Sequence, residues 1–404
     1  MSDPAGSLIV RRIGRLTTWT GPRLTNAAIV ITDGVVAWIG ADRDLPEGLA
    51  DHPEYDAAGA AVVPGFVDCH THAVWAGTRR DDVRARLGGG SYRPAGIVAT
   101  VDATRAASAE DLHSLTATRL RMMRDNGTTT VEIKSGYGLT PRSEQALLRV
   151  ARAAAADVGL GADTTYLGAH VVPDGRDRAA YVDEVIGELP AALAAGAGWC
   201  DVFCDEGAFT VSEARRILTA AVSQGLGTRI HAEQLSHTGA ALLAAELGCA
   251  SADHLDHVTA ADAQALAAAG VVGVLVPVAS LYTRSERWSH AATLRAAGVT
   301  LAIATDCNPG TAWCESMPYA VQLACFGMGL AVDEALEAAT LGGATALRRR
   351  DIGHLGVGAR GDLAILASDH EADLVAHLGV PTVAATVVGG AISGSVGQAP
   401  HQGR

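Results

Sequence analysis

Between residues 62 and 310 the chain alternates eight short, nearly all-apolar segments with alanine-rich amphipathic stretches, and this alternation limits the fold more than any other feature. The segments are VVPGFVDCHTHAV (62–74), TTTVEIKSG (128–136), TTYLGAHV (164–171), CDVFCDEGAF (200–209), GTRIHAEQ (227–234), SADHLDHV (251–258), VVGVLVPV (271–278) and TLAIATDCNPG (300–310). A strand buried on both faces reads as a continuous apolar run, the mark of a parallel sheet. Helical patterns at 110–125, 141–158 and 260–269 lie between such runs, and Thr210-Val-Ser-Glu213 opens another as a capping box. Repeated βα units cover both faces of a parallel sheet, and eight of them close a (β/α)8 barrel. The chain ends differ. AIVI (28–31) and VVAWIG (35–40) flank the hairpin signal Thr32-Asp33-Gly34, and DLAIL (362–366) and ATVVGGAI (385–392) are short and glycine-punctuated. The expected fold is therefore α/β. A TIM-like barrel of residues 63–354 is inserted into a small discontinuous β-sandwich-like domain of residues 1–62 and 355–404.

Composition agrees with a large core: 49% of the 404 residues are apolar or aromatic and 19% charged, which excludes a disordered chain. Lys plus Arg total 31 against 44 acidic residues, a net charge of −13. That balance disfavours nucleic acid or an anionic membrane as partner, so an anionic small molecule must be attracted by local residues. Seven cysteines are scattered without a CxxC pair, and the arginines of MSDPAGSLIVRRIGRL follow its apolar patch, the reverse of a secretory signal. We expect a cytoplasmic protein with free thiols, bound to neither membrane nor nucleic acid.

Polar residues gather at the C-terminal ends of the barrel segments, where barrel enzymes carry their sites. His70 and His72 are two apart, so on a strand both project to one side. Segment five ends in His231, segment six carries Asp253 and His254, and segment eight carries Asp306. Each alone reads equally well as a satisfied core residue. Together at one rim they do not, because buried imidazoles and carboxylates without partners cost several kcal/mol each, roughly. Histidines plus a carboxylate suit Zn²⁺ or Fe²⁺ better than Mg²⁺. The only lysine, Lys134, is on segment two, so the carboxylated lysine that bridges two metals at strand four of many barrel hydrolases is excluded. Bridging by Asp205 or Glu206 stays open, with one metal preferred. Lys134 is either part of the site or a remnant of an arginine-rich composition. Two glycine runs are turns rather than phosphate loops: Gly356–Gly361 leads into a strand, and Gly88–Ser91 lacks a lysine.

These residues resemble the amidohydrolase superfamily, through PGFVDCHTH, the histidines of segments five and six and the aspartate of segment eight, nearly end to end. Within it the chain is similar to the imidazolonepropionase family, cyclic amide hydrolases of histidine degradation. The segments that carry this are HTHAVWAGTR, EIKSGYGL, YLGAHVVP, DVFCDEGAF, HAEQLS, SADHLDH and ATDCNPGTAWCESMP. The resemblance implies one divalent metal per chain, Zn or Fe, on His70, His72, His231 and Asp306. It implies that Arg79 grips the propanoate of 4-imidazolone-5-propanoate while Tyr137 and His170 touch its ring or carboxylate. Asn308, Gly310 and Thr311 line the opposite wall, and His254 and Asp306 carry the catalysis that yields N-formimidoyl-L-glutamate. Some members have glutamate three residues after the strand-five histidine. Here Gln234 stands there, able to hydrogen-bond the ring but not to take a proton. Simpler roles are a rim aromatic for Tyr137 and a surface pair with Asp81 or Asp82 for Arg79. The segment SYRPAGIVAT after Gly90 departs from the family's usual loop, and contacts of Lys134, Glu206 and His237 with substrate stay open. Such barrels are commonly dimers, so a homodimer is expected. The alternatives are a deaminase of a nitrogen heterocycle, told apart by ammonia release, and a non-catalytic binding or scaffold member. Gln234 and Arg79 count against the first, the intact ligand set against the second.

Overall fold

The computed structural model describes residues 6–49, 51–90, 96–289 and 291–393. Ser91 of the glycine run and residues 91–95 of the SYRPAGIVAT segment lie outside that set.

The two chain ends build one sheet. Its strands are β1 (Leu8–Leu16), β2 (Leu24–Thr32), β3 (Val35–Ala41), β4 (Glu54–Asp56), β5 (Ala61–Pro64), β14 (Leu363–Leu366), β15 (Val383–Val388) and β16 (Ala391–Ser393). They run in the order β16-β15-β14-β5-β1-β2-β3, with β4 beside β1. The β2–β3 hairpin turns on Asp33 and Gly34, both left-handed (φ 50° and 79°), the pair that a two-residue turn of this twist requires. Val10, Ile13, Ile29, Ile31, Val62, Leu363 and Val387 fill the core of this sheet.

The barrel strands are β6 (Phe66–Asp68), β7 (Thr128–Lys134), β8 (Gly161–Ala169), β9 (Trp199–Cys204), β10 (Gly227–Ala232), β11 (Ser251–His254), β12 (Val272–Leu275) and β13 (Leu301–Ile303). They pair in sequence order, all parallel. Closure comes above the regular ends of β6 and β13. Thr71 bridges Cys307, His72 N–H donates to Cys307 O, and Asp306 N–H donates to His70 O, both bonds 3.0 Å.

The segments at 62–74, 251–258 and 300–310 are not single long strands. The first divides at Gly65, so that β5 joins the end sheet while β6 joins the barrel; a Cβ on Gly65 would collide with Thr129. Strand six stops at His254, where His254 (φ 80°) and Leu255 (φ 64°) take left-handed backbone that ends a ladder, and strand eight is regular only to Ile303, with Asp306 (φ 54°) left-handed three residues on. The histidine pair thus lies just past the end of β6 rather than on it. The helices Ala109–Asp125, Pro141–Val158 and Ala260–Ala269 fall close to their expected places, N-capped by Ser108, Thr140 and Thr259. Thr210 and Glu213 make the reciprocal capping bonds. Among the described residues no helix is long and apolar enough to cross a membrane.

Candidate active site and metal centre

Strand alternation points Glu132, Lys134, Asp201, Asp253 and Arg229 away from solvent, and all five are fully buried. Above this layer sit the imidazoles. Nε2 of His72 and Nε2 of His231 are 3.4 Å apart, and Asp306 Oδ1 is 3.3 Å from His72 Nε2 and 3.5 Å from His70 Nε2. His70, His72 and His231 each offer a donor atom within 4.8 Å of the others, and so do His70, His254 and Asp306. Four residues from β6, β10 and β13 and their loops therefore converge, with His254 from β11 beside them.

The buried layer orients the rings. His70 Nδ1 lies 2.6 Å from Asp253 Oδ2, and His231 Nδ1 lies 3.0 Å from Asp201 Oδ2. An ionised carboxylate only accepts, so His70 Nδ1 donates to Asp253 and leaves Nε2 facing the centre, while His231 Nδ1 lies at ion-pair distance from Asp201 without hydrogen-bond alignment. Burial and the Lys134 ammonium push His70 down, but Asp253 and Asp306 outweigh them and lift it to about 9. Surroundings that hold a proton so firmly there equally favour a metal cation. Burial raises Asp306, yet His70 and His72 bring it well below the usual carboxylate range, so it is ionised. Burial drops His72 to about 4 and drives His170 and His254 well below the usual imidazole value, leaving all three neutral at pH 7. Three imidazole nitrogens and one carboxylate oxygen form a donor set for a borderline divalent cation, and His70 Nε2 is buried without a hydrogen-bond partner. The residues fit a divalent metal.

A model of the amidohydrolase family matches residues 61–393. The imidazolonepropionase of Streptomyces avermitilis is 48% identical over 362 residues, covering 89% of this chain and 85% of that one. That of Mycolicibacterium smegmatis is 44% identical over 397 residues, covering 96% and 97%. The chain belongs to the amidohydrolase family, among the imidazolonepropionases. A zinc-bound adenosine deaminase from Xanthomonas campestris shares the fold with TM-score 0.74 at 20% identity, covering 96% of this chain and 93% of that one. So does a 5-methylcytosine deaminase from Klebsiella pneumoniae, with TM-score 0.74 at 19% identity, covering 95% and 97%.

The pocket of this amidohydrolase is lined by His72, His231, His254 and Asp306 and by all seven residues expected at the substrate: Arg79, Tyr137, His170, Gln234, Asn308, Gly310 and Thr311. His70 lies beneath them, fully buried. Arg79 does pair with Asp82, and it faces the pocket as well. His170 stacks on His72, ring centres 5.2 Å apart, and its Nδ1 donates to Gly136 O at 2.9 Å, which leaves Nε2 for the pocket. Asn308 Oδ1 accepts from the Gly310 and Thr311 amides at 2.8 Å each, tying the loop into an Asx turn.

Other polar residues support the walls. Glu144 accepts from the Gly136, Gly138 and Leu139 amides at 2.6–2.8 Å and so holds the loop that carries Tyr137. Asp205 accepts from the Gln234 and Leu235 amides and the Ser236 hydroxyl, all at 2.8 Å, and thereby fixes the Gln234 loop. Glu233 turns away to the N-terminus of the helix Ala240–Leu247, so Gln234 is the one that faces the pocket. Glu206 is exposed, and His237 pairs with Asp262 at 2.9 Å; neither lines the pocket. Sequence reasoning passed over Glu132, Asp201 and Glu144. A lone lysine inside a barrel strand needs buried carboxylates, and that was the available signal for the first two.

Proposed function

We propose that this chain hydrolyses the ring amide of 4-imidazolone-5-propanoate to N-formimidoyl-L-glutamate, a step of histidine degradation. In this reading one divalent cation, Zn or Fe, is held by His70, His72, His231 and Asp306. The observation that carries it is the meeting, in one pocket, of this donor set with a buried arginine suited to a carboxylate. Its close relatives carry the corresponding name.

Held by these residues, such a cation would supply hydroxide at neutral pH by lowering the pKa of water from 15.7 towards about 7. The rest falls to the chain. Asp306, ionised, takes the proton of the attacking water at a carboxylate oxygen and delivers it to the departing ring nitrogen. His254, neutral, hydrogen-bonds the oxygen on which negative charge develops. The Arg79 guanidinium binds the propanoate, a charge-assisted pairing that offsets the repulsion of a chain of net charge −13. Tyr137, the free Nε2 of His170 and the Gln234 amide set the ring between the walls, and the Asn308–Thr311 turn closes the far side. Gln234 cannot take a proton, so proton transfer stays with Asp306.

The reading includes a cytoplasmic homodimer. All seven cysteines are unpaired, which suits a reducing compartment, and a monomeric mass in solution would overturn the dimer. The test of function is turnover by purified, metal-replete protein, followed as loss of substrate ultraviolet absorbance. No ring opening, or release of ammonia from a heterocycle instead, refutes it.

A further inference from the structure

Lys134 ends β7 with its side chain fully buried beneath the imidazole cluster. Its Nζ is 2.8 Å from Asp201 Oδ2, 3.0 Å from Glu132 Oε1 and 3.8 Å from Asp253 Oδ2. Two of these oxygens face Nδ1 of candidate ligands: Asp201 Oδ2 that of His231 and Asp253 Oδ2 that of His70. One ammonium thus lies beside both carboxylates that face two rings whose centres are 4.4 Å apart.

We propose that Lys134 is a positioning residue for the metal centre, its buried ammonium holding the carboxylates of Asp201 and Asp253 in place against the rings of His231 and His70 so that both rings present Nε2 to the cation. This rests on the metal site proposed above. The physical reason is charge. Two carboxylates packed in a water-free interior repel strongly, and without a cation between them they swing apart. A displaced carboxylate no longer fixes the ring it faces, so that ring is free to turn its Nε2 from the centre. Glu132 completes the arrangement. It sits two residues before Lys134 on the same strand face, donates nothing to the rings, and holds the ammonium while accepting from Thr71 N–H at 3.2 Å, in the strand-end segment between the two histidines. The strand ends are thereby tied to the same charge cluster as the rings.

The experiment is Lys134→Met, which keeps the length of the chain and removes the charge. Metal affinity is read by chelator competition, and ligand geometry by the visible absorption of Co²⁺-substituted protein. Loss of an outer hydrogen-bond partner typically weakens a metal by about 10–100-fold. That weakening is expected here, with a changed Co²⁺ band shape and, at saturating metal, a lower kcat with little change in KM. Lys134→Arg should recover part of the affinity. If Lys134→Met does not accumulate as folded protein, the double variant K134M/E132Q, which removes one charge of each sign and leaves both ring-facing carboxylates in place, is used instead with the same expected weakening. Parent-like affinity and an unchanged Co²⁺ spectrum in a folded variant overturn the role of Lys134. A parent protein that binds no divalent metal overturns the metal site itself, a distinct outcome.

Discussion

Replacing Arg79 by methionine isolates the recognition of the substrate's carboxylate. The Arg79 side chain is 6% exposed and is shared between the pocket and Asp82, whose own side chain is 44% exposed. Freed of its partner, Asp82 regains water, so the folded state should lose no more than the roughly 0–1 kcal/mol of an exposed ion pair. Binding is different. A charge-assisted hydrogen bond contributes about 1.5–3 kcal/mol, and at about 1.4 kcal/mol per factor of ten its loss lowers kcat/KM roughly 10- to 150-fold. The loss should appear chiefly in KM, since the propanoate is remote from the bond that breaks. Initial rates from substrate absorbance, beside a thermal melt, measure both quantities. Gly96→Ala supplies an independent perturbation, because a Cβ there collides with the Arg79 guanidinium and must displace it without removing the charge. Methionine at 79 with KM within twofold of the parent, in a protein that melts normally, would refute the assignment.

Other consequences are as direct. His231→Ala should abolish the roughly stoichiometric metal content expected of a four-ligand site, and elemental analysis of both proteins checks this. Glu144→Ala leaves the amides of Gly136, Gly138 and Leu139 buried without an acceptor, at about 1–3 kcal/mol for each that water does not reach, so the melting point should fall and KM rise as the Tyr137 loop loosens. Burial lifts Glu188 to about 7 despite the Tyr166 hydroxyl that donates to it. Because the folded protein holds this proton more tightly than the unfolded chain, the stabilisation is complete below about pH 4 and fades as pH rises towards 7. Glu188→Gln should therefore melt higher than the parent at pH 8, the gap closing towards pH 4; a gap that does not vary with pH would count against the raised value.

Much of the site was legible because strand ends are legible. A strand buried on both faces has no reason to carry His231 or Asp306 except where it emerges into the barrel mouth, so chemistry and position are read from the same residues. The limits lay where backbone direction changes. His70 and His72 share a target without being on a regular strand, since β6 ends at Asp68 and the pair is held by bridges to residues 306 and 307. Glu233 and Gln234 are adjacent in sequence, and only the left-handed turn at Glu233 (φ 55°) decides that the first caps a helix and the second faces the pocket.

The order of residues by itself determined the class of fold, the rim at which polar groups collect, and the donor types available there, because period and residue chemistry are local properties of the chain. The tertiary structure alone decided which buried carboxylate serves which ring. Asp201 reaches His231 and Asp253 reaches His70, across separations of 30 and 183 residues, through the closure of the barrel that also brings Lys134 between them. Partnerships of that kind depend on the register in which the eight strands close, and no local pattern encodes it.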